Sequence, residues 1–222
     1  RVPMADSTLI PLSNDLNEKK GLLLGDVLST GYFCADNANI KPSPVLVVIG
    51  CGPVGLMTII ASKHLGADTL FAIDVIPERL ALAEQFGATP LNASVIDVKE
   101  KILHASNGRG ADTVMEVVGS DKTLKLAIDL LRPGGTISSV GVHTAPHFSF
   151  SPAEAYDKNI TYKSGRCPAH YYAEKLLKEE VPQRYAIENI ITHQFNLKDG
   201  ARAYEVFDKK LDNCIKAVLQ TS

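Results

Sequence analysis

Three glycines and one acid stand at the spacing that phosphate and sugar chemistry requires. Residues 45–74 read VLVVIGCGPVGLMTIIASKHLGADTLFAID. They comprise a β-branched run, a turn with Gly50, Gly52 and Gly55, an apolar helical stretch, a second β-branched run and Asp74. An acid about 20 residues past the last glycine completes the fingerprint of a βαβ unit that binds a dinucleotide. Gly50 lets the chain turn sharply out of the strand. Gly52 lets backbone N–H groups approach a pyrophosphate, whose charge the helix N-terminus favours. Gly55 lets the helix lie close against the sheet.

The acid carries the choice of coenzyme. Asp74 at the end of the second strand can accept hydrogen bonds from both hydroxyls of an adenosine ribose and repels a 2′-phosphate there. NAD is therefore expected over NADP. Arg79 can tolerate a phosphate, cap the acid or stack on adenine. Cys51, inside the turn, reads as a small neutral filler.

The elements that must position these groups follow in βαβα order. Strands are expected at Val45–Ile49, Thr69–Ile73, Asp112–Val117 and Thr136–Val140, with helices at Pro53–Leu65, Pro77–Phe86, Ile96–Ala105 and Lys122–Leu131. Proline starts and glycine stops punctuate two of the helices. The alternation predicts an α/β fold, a Rossmann doubly wound parallel sheet covered on both faces. The ends lie outside the rhythm: residues 1–24 carry turns and a loop, and residues 170–222 are helical before an apolar strand, Cys214–Leu219. That last strand needs a partner, which hints at the margins of a second domain.

Composition narrows the class. With 222 residues, 45% hydrophobic side chains and a formal charge of −2, the chain can bury one α/β core. It gives no electrostatic reason to expect nucleic acid or acidic lipid. Four scattered cysteines without a CxxC pair fit a reducing, cytoplasmic compartment, and no N-terminal signal is expected. The uncharged stretch between Lys41 and Lys63 reads as strand, turn and helix rather than a membrane span.

Over nearly its whole length the chain resembles the medium-chain dehydrogenase/reductase superfamily, specifically zinc-type alcohol dehydrogenases. The resemblance is carried by Val2-Pro3-Met4-Ala5-Asp6, residues 25–32 (GDVLSTGY), the GCGPVG loop with Asp74 and Arg79, and Glu116 to Gly119. It continues through Gly134-Gly135, Val140-Gly141-Val142, Gly165-Arg166-Cys167, Ile191-Thr192-His193 and Ile215 to Leu219. It implies hydride transfer between an alcohol or aldehyde and the nicotinamide of NAD, with a zinc ion polarising the substrate oxygen. It implies coenzyme contacts at Pro53, Val54, Val118, Gly141, Val142 and Arg166, besides the glycines, Asp74 and Arg79. Asp26 falls at the third zinc-ligand position and Thr30, one helical turn on, where the family touches nicotinamide. Arg166 meets nicotinamide, a phosphate or an ion-pair partner.

The family's N-terminal GroES-like catalytic domain is missing from this sequence, and with it a Cys ligand, a His-Glu pair and a four-Cys zinc lobe. The expected organisation is a catalytic-domain remnant (1–24), an NAD-binding Rossmann domain (25–165), and C-terminal helices with a return strand (166–222). A homo-oligomer through the sheet edge near Thr136–Val142 is expected. The alternative is a truncated, non-catalytic NAD-binding protein or dimerisation partner.

Other residues have plainer readings. His64 and His104 read as surface or helix-capping groups, His143 and His147 as solvated loop histidines near the nicotinamide pocket, and His193 as structural. Tyr171 and Lys175 match the YxxxK spacing of short-chain dehydrogenases, but the glycine pattern does not, so Tyr171 reads as helix packing. A nucleotide-dependent methyltransferase shares the glycine loop and acid, and the long match outside the loop argues against it.

Overall fold

The computed structural model describes residues 1–40 and 44–221. Six parallel strands form the main sheet: β1 (Val45–Ile49), β2 (Thr69–Asp74), β3 (Thr89–Asn92), β4 (Ala111–Glu116), β5 (Leu131–Ser139) and β6 (Thr161–Ser164). Their order is β3-β2-β1-β4-β5-β6, so the winding reverses between β1 and β4. That reversal makes the fold Rossmann-like.

Strand β1 explains why the sheet must be covered on both faces. All five of its side chains are buried, and alternation splits them. Leu46 and Val48 enter a core with α3 (Ser29–Asn37), α4 (Pro53–His64), α5 (Pro77–Gln85) and α9 (Ala169–Lys178). Val45, Val47 and Ile49 enter a second core with α6 (Val98–Ala105) and α7 (Asp121–Leu130). Each such side chain stabilises the fold by roughly 1.5–3 kcal/mol through removal from water.

The expected strands and helices are present within one or two residues, except for the start of β5. Two strands of this sheet have no counterpart in the sequence reading. β3 (TPLN) and β6 (TYKS) are four-residue edge strands with polar side chains, and edges are kept short and polar because they offer unpaired backbone groups. The edge expected near Thr136–Val142 is therefore covered: β6 pairs with β5, and the free edges are β3 and β6. Strand β5 also starts earlier than expected. Leu131 pairs with Ala111 and Thr136 with Thr113, so the Pro133-Gly134-Gly135 segment lies where the register shifts.

Of the remaining helices, α1 (Ala5–Thr8) and α2 (Glu18–Leu23) precede the sheet. α2 passes through a π-helical turn at Leu24–Leu28 straight into α3, and Asn17 caps it by accepting the Lys19 N–H. α8 (Pro152–Lys158), α10 (Val181–Arg184) and α11 (Gly200–Asp208) complete the set. The C-terminal strand β8 (Lys216–Gln220) finds its partner within the chain: β7 (Ile191–Asn196), parallel, with α11 as the crossover. Thr192, Gln194 and Asn196 interrupt the apolar pattern of β7, which hides it in the sequence. Among the described residues no helix is long and apolar enough to cross a membrane.

Asp112 ties together the starts of three strands. It accepts the Val45 N–H at 2.9 Å and the Arg132 Nε–H at 2.5 Å, with Arg109 at 3.6 Å. Burial opposes its charge, but these donors and cations outweigh burial and hold its carboxyl below the usual carboxylate range. A depressed folded-state pKa contributes stability that is full above the unfolded value near 3.9 and is lost as pH falls through the folded value. D112N is expected to lower stability by about 1–3 kcal/mol at pH 7. In urea titrations, the gap between wild type and variant should close progressively below about pH 4.

Candidate functional site

The turn between β1 and α4 is built by what its glycines lack. Gly50 has φ +99°, and a Cβ there would lie 2.5 Å from Val118 Cγ2. At Gly55 a Cβ would fall 1.9 Å from the Gly50 carbonyl oxygen, so α4 enters the sheet backbone to backbone. Gly52 differs. A Cβ would meet nothing closer than Arg79 Nη1 at 3.8 Å, which leaves an open face. Gly52 is the N-cap of α4 and gives it no side-chain cap, Pro53 follows, and the first turn holds no acid. The α6, α7 and α8 N-termini, by contrast, are capped by Asp97, Ser120 and Ser151. Free N–H groups and the positive end of the helix dipole thus face open space, which suits a phosphate.

Asp74 closes one side of this cradle. Its Oδ2 accepts the Cys51 N–H at 2.7 Å, and its Oδ1 accepts those of Val75 and Ile76 at 2.7 and 3.0 Å. Three of its roughly four acceptor sites are thus occupied, leaving room for one further donor rather than for two hydroxyls. Arg79 Nη1 stands 4.0 Å from Oδ2, at the outer limit of an ion pair with the acid. Cys51 is buried, and burial pushes its thiol well above the ordinary range, as a filler requires.

At the ends of β5 and β6 opens a cleft of about 820 Å³. Asp26, Thr30, Val54, Gly141, Val142 and Arg166 all line it. Val118 is not among the lining residues but stands against the glycine turn. Asp26 is exposed on the π-helical turn and accepts the Thr30 hydroxyl at 3.4 Å. Cys167 faces the same pair: burial pushes its thiol up to about 11 against a Thr30 hydrogen bond, with the Asp26 charge adding to the rise. Arg166 is exposed at the cleft and joins no ion pair among the described residues.

Two features escaped sequence reasoning. Phe148 and Tyr162 line the far wall, packed edge to face at 5.3 Å and joined by Phe150. The Phe-Ser-Phe alternation was their only trace. The second is His143, expected to be solvated. Its Nε2 lies 2.9 Å from Glu116 Oε2 and its side chain is 21% exposed. The signal missed was Glu116 itself, an acid inside a β-branched run, which must find donors when buried.

Elsewhere, His104 is exposed in the last turn of α6, as expected. His64 is not on the surface: it packs between Tyr32 and Tyr185, 3.6 Å from Glu179. His147 is exposed at the cleft, and His193 stacks on Phe195 within β7. Lys175 pairs with Asp36 and sits over the Tyr32 and Tyr172 rings, while Tyr171 packs edge-on against Tyr172. The YxxxK spacing therefore makes no proton-transfer couple.

Metal chemistry fits less well. A catalytic zinc takes three protein ligands, and the described residues contain no group of three or more His, Cys, Asp or Glu that could hold a metal. Asp26 would be one ligand of a set these residues do not complete.

Fold and cradle define a Rossmann-like α/β domain with an uncapped glycine turn at its switch point. Residues 53–179 match the family model described as zinc-binding dehydrogenase, and the chain belongs to that family. It is 37% identical over 216 residues to zinc-type alcohol dehydrogenase B of Aspergillus flavus, covering 94% of this chain and 50% of that protein. Alcohol dehydrogenase TADH from Thermus sp. ATN1 superposes with a TM-score of 0.93 at 37% identity, over 100% of this chain and 65% of that one. Zinc dependent alcohol dehydrogenase 2 from Streptococcus pneumonia gives 0.90 at 30% identity, over 100% and 64%. The chain thus spans about half the length of the Aspergillus relative.

The glycine geometry separates ligand space from packing. G52A is expected to leave the melting temperature within about 2 °C of wild type while weakening NADH binding at least ten-fold in a fluorescence titration. G55A should instead destabilise the fold, by about 1–3 kcal/mol.

Proposed function

We propose that this chain is the coenzyme-binding part of an NAD(H)-dependent oxidoreductase that moves hydride between an alcohol carbon and nicotinamide C4. The observation that carries the reading is the open face at Gly52, where an uncapped helix N-terminus meets free space beside Asp74. A diphosphate would accept those N–H groups, the adenosine ribose would donate to the remaining site on Asp74, and the nicotinamide half would cross into the cleft. Thr30 and Arg166, which line the cleft, are the candidates to touch the ring, and the exposed side chains of Val142 in the cleft and of Val118 beside the glycine turn offer it an apolar surface. The Asp74 charge disfavours a 2′-phosphate and so favours NAD.

Asp26 is the position we assign to a zinc ligand, one of a set that the described residues do not complete. That gap supports a second reading, a chain that binds coenzyme without turnover. Domain limits of 1–24, 25–165 and 166–222 remain our proposed division, although one continuous helix crosses residue 25. If the chain pairs with itself through the sheet, β6 is the better edge, because β3 carries Pro90. Four free cysteines suit a reducing compartment such as the cytoplasm.

Incubating the purified chain with NAD, zinc and a panel of alcohols, while titrating NADH by fluorescence, separates the readings. NADH binding is expected. Turnover identifies a complete enzyme, binding alone identifies the coenzyme part, and an absence of binding removes both. D74G should weaken NAD and shift the NAD-to-NADP affinity ratio toward NADP by about ten-fold or more. An unchanged ratio takes Asp74 out of the ribose contact.

A further inference from the structure

Glu116 is fully buried at the end of β4, and its carboxylate gathers donors from three segments. Oε1 accepts the N–H groups of Val118 and Gly119 at 2.9 and 2.8 Å and the Thr123 hydroxyl at 2.8 Å. Oε2 accepts the Ser139 hydroxyl at 2.9 Å and faces His143 Nε2 at 2.9 Å. The same Nε2 stands 3.1 Å from the Ser139 hydroxyl oxygen, and in the tautomer that carries its proton there the imidazole donates to Glu116. The Glu116 backbone carbonyl also receives the Val140 N–H at 3.0 Å.

These bonds hold two turns against each other. A Cβ on Gly119 would lie 2.5 Å from the Val142 nitrogen, so the 117–119 turn and the 140–143 segment meet backbone to backbone. Between them they carry Val118, Gly141 and Val142. In a doubly wound sheet the strands beyond the switch seat the second mononucleotide, and here those strands end on this knot. The first half of the site, at Gly52 and Asp74, makes no bond to it.

We propose that His143 is a positioning residue for the nicotinamide half of the coenzyme. Its bond to Glu116 anchors the exit of β5 and so sets Gly141 and Val142 against the ring. Thr123, Ser139 and the two N–H groups keep Glu116 supplied with donors when His143 is changed, so the loss falls on the loop rather than on the sheet. This inference rests on the coenzyme reading of the cleft.

The test titrates wild type, H143A and H143Q with two probes, NADH and ADP-ribose, which lacks the nicotinamide ring. Wild type is expected to bind both. H143A should bind ADP-ribose within about two-fold of wild type but NADH about ten-fold more weakly, the loss of one hydrogen bond to a buried carboxyl group. H143Q, whose amide can donate from near the Nε2 position, should restore NADH to within about three-fold. Equal losses for both probes, no loss for either, or failure of glutamine to rescue each overturn the proposal. A wild type that binds neither probe sinks the coenzyme reading itself, and one that binds ADP-ribose as tightly as NADH sinks only this inference.

Discussion

Of the glycines, Gly55 leaves the least room for a side chain, and that contact sets where α4 begins. Where Gly55 passes the Gly50 carbonyl there is no room for a methyl group, so α4 begins against the end of β1 instead of beside it. That contact puts the helix N-terminus at the switch point of the sheet, the crevice where doubly wound folds take ligands. It also leaves Gly52 outermost and bare. A cradle for a charged group thus arises from a packing requirement.

Three carboxylates then serve as joints between strands. Asp112 gathers the starts of β1, β4 and β5. Asp74 clamps the glycine turn to the end of β2 through the Cys51 N–H. Glu116 knots the ends of β4 and β5. Each acid sits where parallel strands terminate and leave N–H groups unpaired, and an acceptor-only group there satisfies several donors at once. Asp74 and Glu116 flank the switch on opposite sides, one at the proposed adenosine end and the other behind the proposed nicotinamide end. The same carboxylates that close the backbone would therefore shape both halves of the proposed coenzyme site.

Sequence reasoning recovered the central strands and their helices because burial on both faces demands uninterrupted β-branched runs, as in Val45–Ile49. It missed Thr89–Asn92, Thr161–Ser164 and Ile191–Asn196 for the opposite reason. Edge and half-exposed strands carry Pro90, Lys163 and Thr192, whose polarity protects the edge and erases the pattern. Gly50, Gly52 and Gly55 were legible as a motif, and Asp26, Thr30, Val142 and Arg166 as positions of a family. That the latter four line one cleft was not legible, since they come from segments more than a hundred residues apart.

Periodicity and glycine spacing alone determined the α/β class, the parallel sheet and the location of a phosphate-sized turn. Those features depend on neighbours along the chain, where steric limits on φ and ψ and the pitch of helix and strand act directly. Tertiary structure decided how much of Asp74 is left for a ligand, that His143 leans on a buried acid, and that β8 pairs with β7. These are matters of which donors and acceptors meet after the chain has closed, and no local pattern encodes a partner that distant.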